Sequence, residues 1–137
     1  MRPDEIGCYV EMRVRPHASE CSRIRRIVSF LALNKLHDYA ATCDLELAVG
    51  EAFSNAIKYG GGDNIFLVVN ATSSRELVVE FYYKGESFDT AIEFPNDCLS
   101  GNGGFGRYIM REVLDDIEYR FLDGYTRLRI VKRAFDY

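Results

Sequence analysis

The chain has 137 residues, a length typical of one domain, and we expect residues 1–137 to form a single domain. Hydrophobic residues make up 47% and charged residues 28%, which excludes intrinsic disorder, collagen-like repeats and coiled coils. The net charge is −4, so nothing in the charge balance favours a nucleic acid or an anionic membrane as a direct partner. No apolar run has the length of a membrane span, and acidic residues stand where a signal peptide has its apolar core, so we expect a cytoplasmic protein.

The cysteines and histidines show no metal-ligand spacing. None of the cysteines forms a C-x-x-C pair, and neither histidine stands at a zinc-type distance from another ligand. We therefore interpret the thiols as reduced and packed as small apolar groups. The residues concerned are Cys8, Cys21, Cys43, Cys98, His17 and His37.

The chain begins with strand periodicity and then changes to helix periodicity. Residues 8–15 alternate loosely and predict a strand that ends before Pro16. From about Ser19 onward, apolar residues recur at i, i+3, i+4 and i+7, which predicts one stripe of an amphipathic helix. The residues of that stripe are Ile24, Ile27, Val28 and Leu31.

A second predicted helix is followed by a predicted hairpin. The helix has apolar residues at helical spacing over residues 45–56, Thr42 as its N-cap, and three glycines at 60–62 that end it. The period then changes to two over Asn64–Thr72 and Glu76–Tyr83, which are rich in Ile, Val, Phe and Tyr. The short polar stretch between these two strands favours a hairpin.

The last third of the chain predicts a short helix and another hairpin. Residues 85–104 fit neither period, whereas Arg107–Leu114 predicts a helix. The segments Ile117–Leu122 and Thr126–Lys132 predict strands, with a turn at Asp123-Gly124-Tyr125 between them. This order of elements predicts an α/β (α+β) two-layer sandwich, in which helices cover one face of a largely antiparallel, mixed sheet.

The segment LAVGEAFSNAIKYG, residues 47–60, places a carboxylate and an amide on one helix face. Glu51 and Asn55 are four residues apart, which brings their Cβ atoms within about 6 Å of each other. An amide oxygen is a hard, neutral ligand for Mg²⁺, and a carboxylate can accept a proton from an attacking hydroxyl. The pair therefore suits a magnesium-bound phosphate. Taken alone, the pair favours the solvated flank of an ordinary helix, because polar pairs at i, i+4 are common.

The segment SGNGGFGRY, residues 100–108, compresses four glycines into six positions before a predicted helix. Glycines allow backbone N–H groups to approach a phosphate closely, and the N-terminus of the helix adds partial positive charge. Arg107 in the first turn of this helix adds a full positive charge for binding the phosphate. The segment is neither a dinucleotide-binding fingerprint nor a Walker A loop. A flexible lid with a glycine hinge is the alternative interpretation.

In this order, the two segments resemble the histidine-kinase-like ATPase superfamily, and within it the bacterial anti-sigma-factor serine/threonine-protein kinases. The resemblance spans about residues 8–133. LAVGEAFSNAI is similar to the family's asparagine-bearing helix, and GGFGRYIMREVLDDIEYRF to its second glycine box with the following helix and strand. Residues 124–130 resemble the terminal Gly-Thr strand, with Tyr125 inserted. The resemblance implies a Bergerat-type ATP-binding fold.

The resemblance also implies roles for individual residues. Glu51 is expected to be the general base and Asn55 the ligand of Mg²⁺, with ATP as the nucleotide. Thr126 is expected near the adenine, and the glycines of residues 101–106 around the phosphates. The complete set of expected nucleotide-binding residues is Asn55, Gly85, Gly101, Gly103, Gly104, Gly106, Arg107 and Thr126.

One stretch departs from the family pattern. The first glycine box usually reads Asp-x-Gly-x-Gly, and its Asp receives the adenine amino group. Here Gly85 fits, but Tyr83 stands at the Asp position and Ser87 at the second glycine. A tyrosine supplies no anionic acceptor for the base.

These observations support two hypotheses of function. The first is an ATP-binding anti-sigma regulatory factor, a serine/threonine protein kinase of a partner-switching system that regulates transcription. Its implied partners are a sigma factor or similar effector, an antagonist protein with a phosphorylatable Ser or Thr, and a second copy in a homodimer. The alternative is a non-catalytic protein-binding module of the same fold, whose adenine pocket is degenerate at Tyr83 and Ser87.

Overall fold

The computed structural model describes residues 7–71, 75–85 and 105–134, with side chains from Tyr108 onward in the last range. The strands are β1 (Cys8–Val14), β2 (Ile65–Ala71), β3 (Glu76–Lys84), β4 (Asp116–Leu122) and β5 (Tyr125–Arg133). The helices are α1 (Cys21–Leu36), α2 (Tyr39–Tyr59) and α3 (Phe105–Val113), and a 3₁₀ turn at Ala18–Glu20 precedes α1. Every strand and helix predicted from the sequence is present, with boundaries shifted by one to three residues in most cases.

The five strands form one sheet in the order β1-β2-β3-β5-β4. All four described pairings are antiparallel, which confirms the predicted, largely antiparallel sheet. The described strands contain no parallel pair, so the mixed character that was also expected is not found among them. The helices pack on one face of this sheet, as predicted, and the fold is a two-layer α+β sandwich.

The core lies between the sheet and the helices because alternate strand residues are apolar. Leu67, Phe81 and Leu128 are paired across β2, β3 and β5 and are completely buried. From the helix side, α1 contributes an i, i+4 stripe and α2 contributes several alanines that allow close packing. The stripe of α1 consists of Ile24, Val28, Ala32 and Leu36.

The start predicted for α2 was wrong. Thr42 was expected to be the N-cap, but the helix begins at Tyr39 and its N-cap is Asp38, whose side chain accepts a hydrogen bond from the N–H of Ala41 at 3.0 Å. Thr42 lies in the first turn, where its hydroxyl donates to the Asp38 carbonyl at 2.8 Å. Both residue types cap helices well, and the local pattern does not distinguish them.

The turn between β4 and β5 is shorter than predicted. Asp123 and Gly124 both have positive φ values, 52° and 81°, which is typical of a two-residue hairpin turn. Tyr125 is the first residue of β5 and pairs with Leu122 and Lys84, so it lies in the strand and not in the predicted turn.

The described residues contain no helix that is both long and apolar enough to cross a membrane. Within the same residues, no three His, Cys, Asp or Glu side chains lie together as a metal site would require. Cys8, Cys21 and Cys43 are free thiols, whereas Cys98 lies outside the described residues.

Candidate functional site

The Glu51 and Asn55 side chains emerge one turn apart from the second half of α2. Asn55 is buried, with 6% of its surface exposed, and its Nδ2 has no hydrogen-bond partner among the described residues. Leaving a buried amide unpaired costs about 1–3 kcal/mol, so this position favours a ligand that completes its hydrogen bonding. Because amide N and O assignments are interchangeable, the side chain fits either a phosphate oxygen or a hydrated Mg²⁺.

Glu51 is half-buried and faces a small cavity of about 170 Å³ between α1 and α2. Its neighbour Gly50 lies under the aliphatic part of Arg25, whose Cδ would be 3.2 Å from a Cβ at this position. The Arg25 guanidinium in turn pairs with Glu46 at 3.3 Å. The sequence pattern did not predict this arrangement, for which the local signal is a glycine inside a helix.

Gly85, at the end of β3, lies against the end of α2 and against the β4–β5 hairpin. Its φ of +120° is one that residues with side chains rarely adopt, and a Cβ would lie 2.7 Å from the Tyr59 carbonyl oxygen. The N–H of Gly85 donates to the carbonyl of Gly124 at 2.6 Å, and the hydroxyl of Thr126 donates to the Gly85 carbonyl. Gly85 and Thr126, predicted to serve the same site, are therefore in direct contact.

Tyr83 occupies the position that the family pattern assigns to the adenine-binding carboxylate. Its side chain points to the helix-covered face, is 3% exposed, and pairs across the strands with Thr126. Burial raises the pKa of the phenol, with a smaller contribution from Tyr119, so Tyr83 stays neutral at physiological pH. Its hydroxyl has no hydrogen-bond partner among the described residues; the nearby Thr126 hydroxyl gives its own hydrogen to Gly85.

These residues fit the magnesium and phosphate end of a magnesium-bound ATP but not its adenine end. The buried amide of Asn55 fits the metal and phosphate end. Tyr83 does not fit the adenine end, because a neutral donor with a buried ring replaces an anionic acceptor.

The glycine-rich segment is described only at its end. Gly101, Gly103 and Gly104 lie outside the described residues, as does Ser87. Gly106 and Arg107 lie in the first turn of α3, where only their backbone is described. The structure thus brings Gly85 and Thr126 together and places Glu51 and Asn55 on one helix, while the predicted phosphate loop stays a prediction.

Lys132 of β5 anchors the far end of α3, which the sequence did not reveal. Its Nζ donates to the carbonyl of Val113 at 2.6 Å and to Asp44 of α2 at 3.2 Å. The side chain is only 12% exposed. A cation at a helix C-terminus satisfies carbonyls that have no partner within the helix, so Lys132 fixes α3 relative to α2.

Comparison with known proteins identifies the class to which this fold and site belong. The histidine kinase-like ATPase domain family matches residues 14–132, so the chain belongs to this family. Its relatives include a serine-protein kinase, RsbW, of Oceanobacillus iheyensis, 26% identical over 122 residues that cover 80% of this chain and 77% of the relative. The expected resemblance to the serine kinases of this superfamily is thereby confirmed.

Two solved structures share the fold at low sequence identity. A chain of the SiaB-SiaC complex from Pseudomonas aeruginosa aligns with a TM-score of 0.58 and 10% identity, covering 90% of this chain and 88% of that one. The histidine kinase AdeS of Acinetobacter baumannii aligns with a TM-score of 0.52 and 12% identity, covering 93% and 68% respectively. These alignments support the fold alone.

Proposed function

We propose that this chain is a cytoplasmic partner-switching regulator of the anti-sigma type, which binds Mg-ATP and phosphorylates a Ser or Thr of an antagonist protein. The observation that carries the proposal is the buried amide of Asn55, whose Nδ2 has no hydrogen-bond partner among the described residues, one helical turn after Glu51 in a domain of the ATPase family. Similarity to a serine-protein kinase adds support for the reaction class.

The residues of α2 divide the proposed chemistry between them. Bound ATP would supply the transferable phosphoryl group and leave as ADP. Asn55 would hold the magnesium ion, and Glu51 would accept the proton of the attacking hydroxyl. The glycines at 101, 103, 104 and 106, with Arg107, would stabilise phosphate charge, and Gly85 with Thr126 would form the end of the pocket near the base.

The proposed partners follow from the family. One is a sigma factor or similar effector that the chain sequesters, and another is the antagonist that it phosphorylates. One structural relative was solved in a two-protein complex, SiaB-SiaC, which is consistent with a protein partner. We also propose that the chain forms a homodimer.

Tyr83 favours a second candidate, a non-catalytic binding module that keeps the fold and the partner surface. A buried, neutral phenol at the adenine position weakens recognition of the base without altering the rest of the domain. In this case partner binding proceeds without nucleotide.

Calorimetric titration of the purified chain with Mg-ATP separates the two candidates. Micromolar binding that is lost when magnesium is chelated supports the kinase. Absence of binding at millimolar ATP contradicts the kinase and supports the binding module.

A further inference from the structure

The end of the candidate site at Tyr83 and Gly85, here called the base end, is closed by the end of α2. The N–H of Gly61, just after α2, donates to the Lys84 carbonyl at 2.6 Å. A Cβ at Gly60 would lie 3.4 Å from the Tyr83 ring, and this ring is 3% exposed. The ring therefore takes up volume at the position where the family pattern places the edge of the adenine.

The polar groups at the base end do not favour one base over another. The Thr126 hydroxyl gives its hydrogen to the Gly85 carbonyl. Burial raises the pKa of the Tyr83 phenol, which therefore stays neutral and can either donate or accept a hydrogen bond. A carboxylate only accepts, and a site with one fixed hydrogen-bonding pattern can reject a mismatched ligand by about 10⁴- to 10⁵-fold. With Tyr83 at this position, that discrimination is lost.

The phosphate end of the site, at Asn55 and Lys58, carries groups that suit a phosphate whatever base is attached to it. These two residues are three positions apart on α2 and therefore lie on the same helix face. In the part of the chain that the structure describes, Asn55 Nδ2 has no hydrogen-bond partner. Lys58 is exposed, and its Nζ lies 5.1 Å from the centroid of the Tyr59 ring. An amide and an ammonium group on one face are complementary to the oxygens of a magnesium-bound triphosphate.

We propose that this site recognises the magnesium-bound triphosphate and not the base, so that purine and pyrimidine nucleoside triphosphates bind with similar affinity. The base end offers a neutral hydroxyl on a buried ring, whereas the phosphate end offers a positive charge and a buried amide. The inference rests on the nucleotide binding of the proposed function and widens the ligand from ATP to a chemical class.

Calorimetric titration of the full chain with the magnesium complexes of ATP, GTP, CTP and tripolyphosphate tests the proposal. The dissociation constants of all four ligands should agree within about tenfold, because they share the triphosphate and no group at the base end selects among the bases. A preference for ATP of more than about tenfold over any of the other three ligands overturns the inference but leaves the proposed kinase. If none of the four ligands binds at millimolar concentration, both are overturned.

Two substitutions of Tyr83 test whether the neutral phenol is the reason for the lost selectivity. Tyr83→Asp should make the site selective, with ATP bound more than about tenfold tighter than GTP. Tyr83→Phe is the matched control, since it keeps the ring and adds no charge, and ATP, GTP and CTP should still bind within about tenfold of one another. A loss of affinity for ATP alone in Tyr83→Phe would show that the phenol recognises adenine and would overturn the inference. Circular dichroism checks that each variant is folded.

Lys58→Met tests recognition at the phosphate end. Because Lys58 is exposed, its loss should weaken all four ligands by the same factor, about two- to fivefold. Lys84→Met is the matched control: it removes the same charge from the end of β3, where Lys84 pairs with Asp63 at 3.8 Å, and should leave the affinity for tripolyphosphate unchanged. A Lys58→Met variant that weakens ATP but not tripolyphosphate, or a Lys84→Met variant that weakens tripolyphosphate as much, contradicts the proposed phosphate end.

Discussion

Replacing Tyr83 with Asp tests whether this single residue limits adenine binding. The substitution supplies an anionic acceptor and removes a ring that is 3% exposed. A hydrogen bond to a charged group contributes about 1.5–3 kcal/mol net, which corresponds to an affinity gain for Mg-ATP of about 10- to 150-fold. Affinity for Mg-GTP should not rise, because the guanine oxygen at the corresponding position is repelled by a carboxylate.

The same substitution should destabilise the protein without ligand. Removing a buried aromatic ring costs about 3–5 kcal/mol, and desolvation of the new carboxylate adds to this loss. Saturating Mg-ATP should recover part of the loss, about 4 kcal/mol at a concentration 1,000 times the dissociation constant. The melting temperature of the variant should therefore depend much more on ATP than that of the wild type.

Calorimetry with Mg-ATP and Mg-GTP, combined with thermal melts, measures both effects. Tyr83→Asn is the matched control, because it opens similar space without a charge and should gain less affinity for ATP. If the wild type already binds Mg-ATP at micromolar concentration and the Asp variant binds no tighter, Tyr83 does not limit binding. Another group would then recognise the base.

Three other substitutions test the remaining assignments. Asn55→Ala should abolish the magnesium-dependent part of nucleotide affinity while changing the melting temperature little, because the amide it removes has an unpaired Nδ2; a large loss of stability with unchanged binding would make Asn55 a structural residue. Glu51→Gln should lower phosphoryl transfer to the antagonist far more than ATP affinity, and equal losses would argue against a general base. Lys132→Met should lower the free energy of unfolding in urea by about 2 kcal/mol, whereas Lys84→Met, which breaks an exposed pair with Asp63, should cost less than about 0.5 kcal/mol. Similar losses for both lysines would contradict the anchoring role of Lys132.

Sequence periodicity predicted the fold well because its signals are local. Alternation within β2 and β3 and the apolar stripe of α1 each arise from residues close in the chain, and all three elements form as predicted. In α1 the buried stripe continues to Ala32 and Leu36, whereas the predicted members Ile27 and Leu31 are only half-buried. The start of α2 was missed because Asp38 and Thr42 are both good capping residues one turn apart. The choice between them depends on where α1 ends: His37 ends it in a left-handed conformation, and the extended Asp38 then begins α2. The apolar pattern of α2 alone does not contain this information.

The sequence predicted those features of the candidate site that depend on spacing along one helix. It did not predict the features that depend on tertiary packing. Glu51 and Asn55 share a face of α2 because they are four residues apart. The burial of Asn55 depends on how the helix packs in the folded domain. The contact of Lys132 with Asp44 joins residues 88 positions apart, and no pattern within one element indicates it.

The strand order determines which strands could pair edge to edge with strands of another molecule. Among the described strands the outermost are β1 and β4, and the outer edge of each is where another strand would add and begin an aggregate. Both edges carry alternating charges, Glu11 and Arg13 on one and Glu118 and Arg120 on the other. Charged edge strands resist such lateral growth, so the exposed aromatic residues Tyr9 and Phe66 lie on a sheet whose outer strands disfavour the addition of further strands.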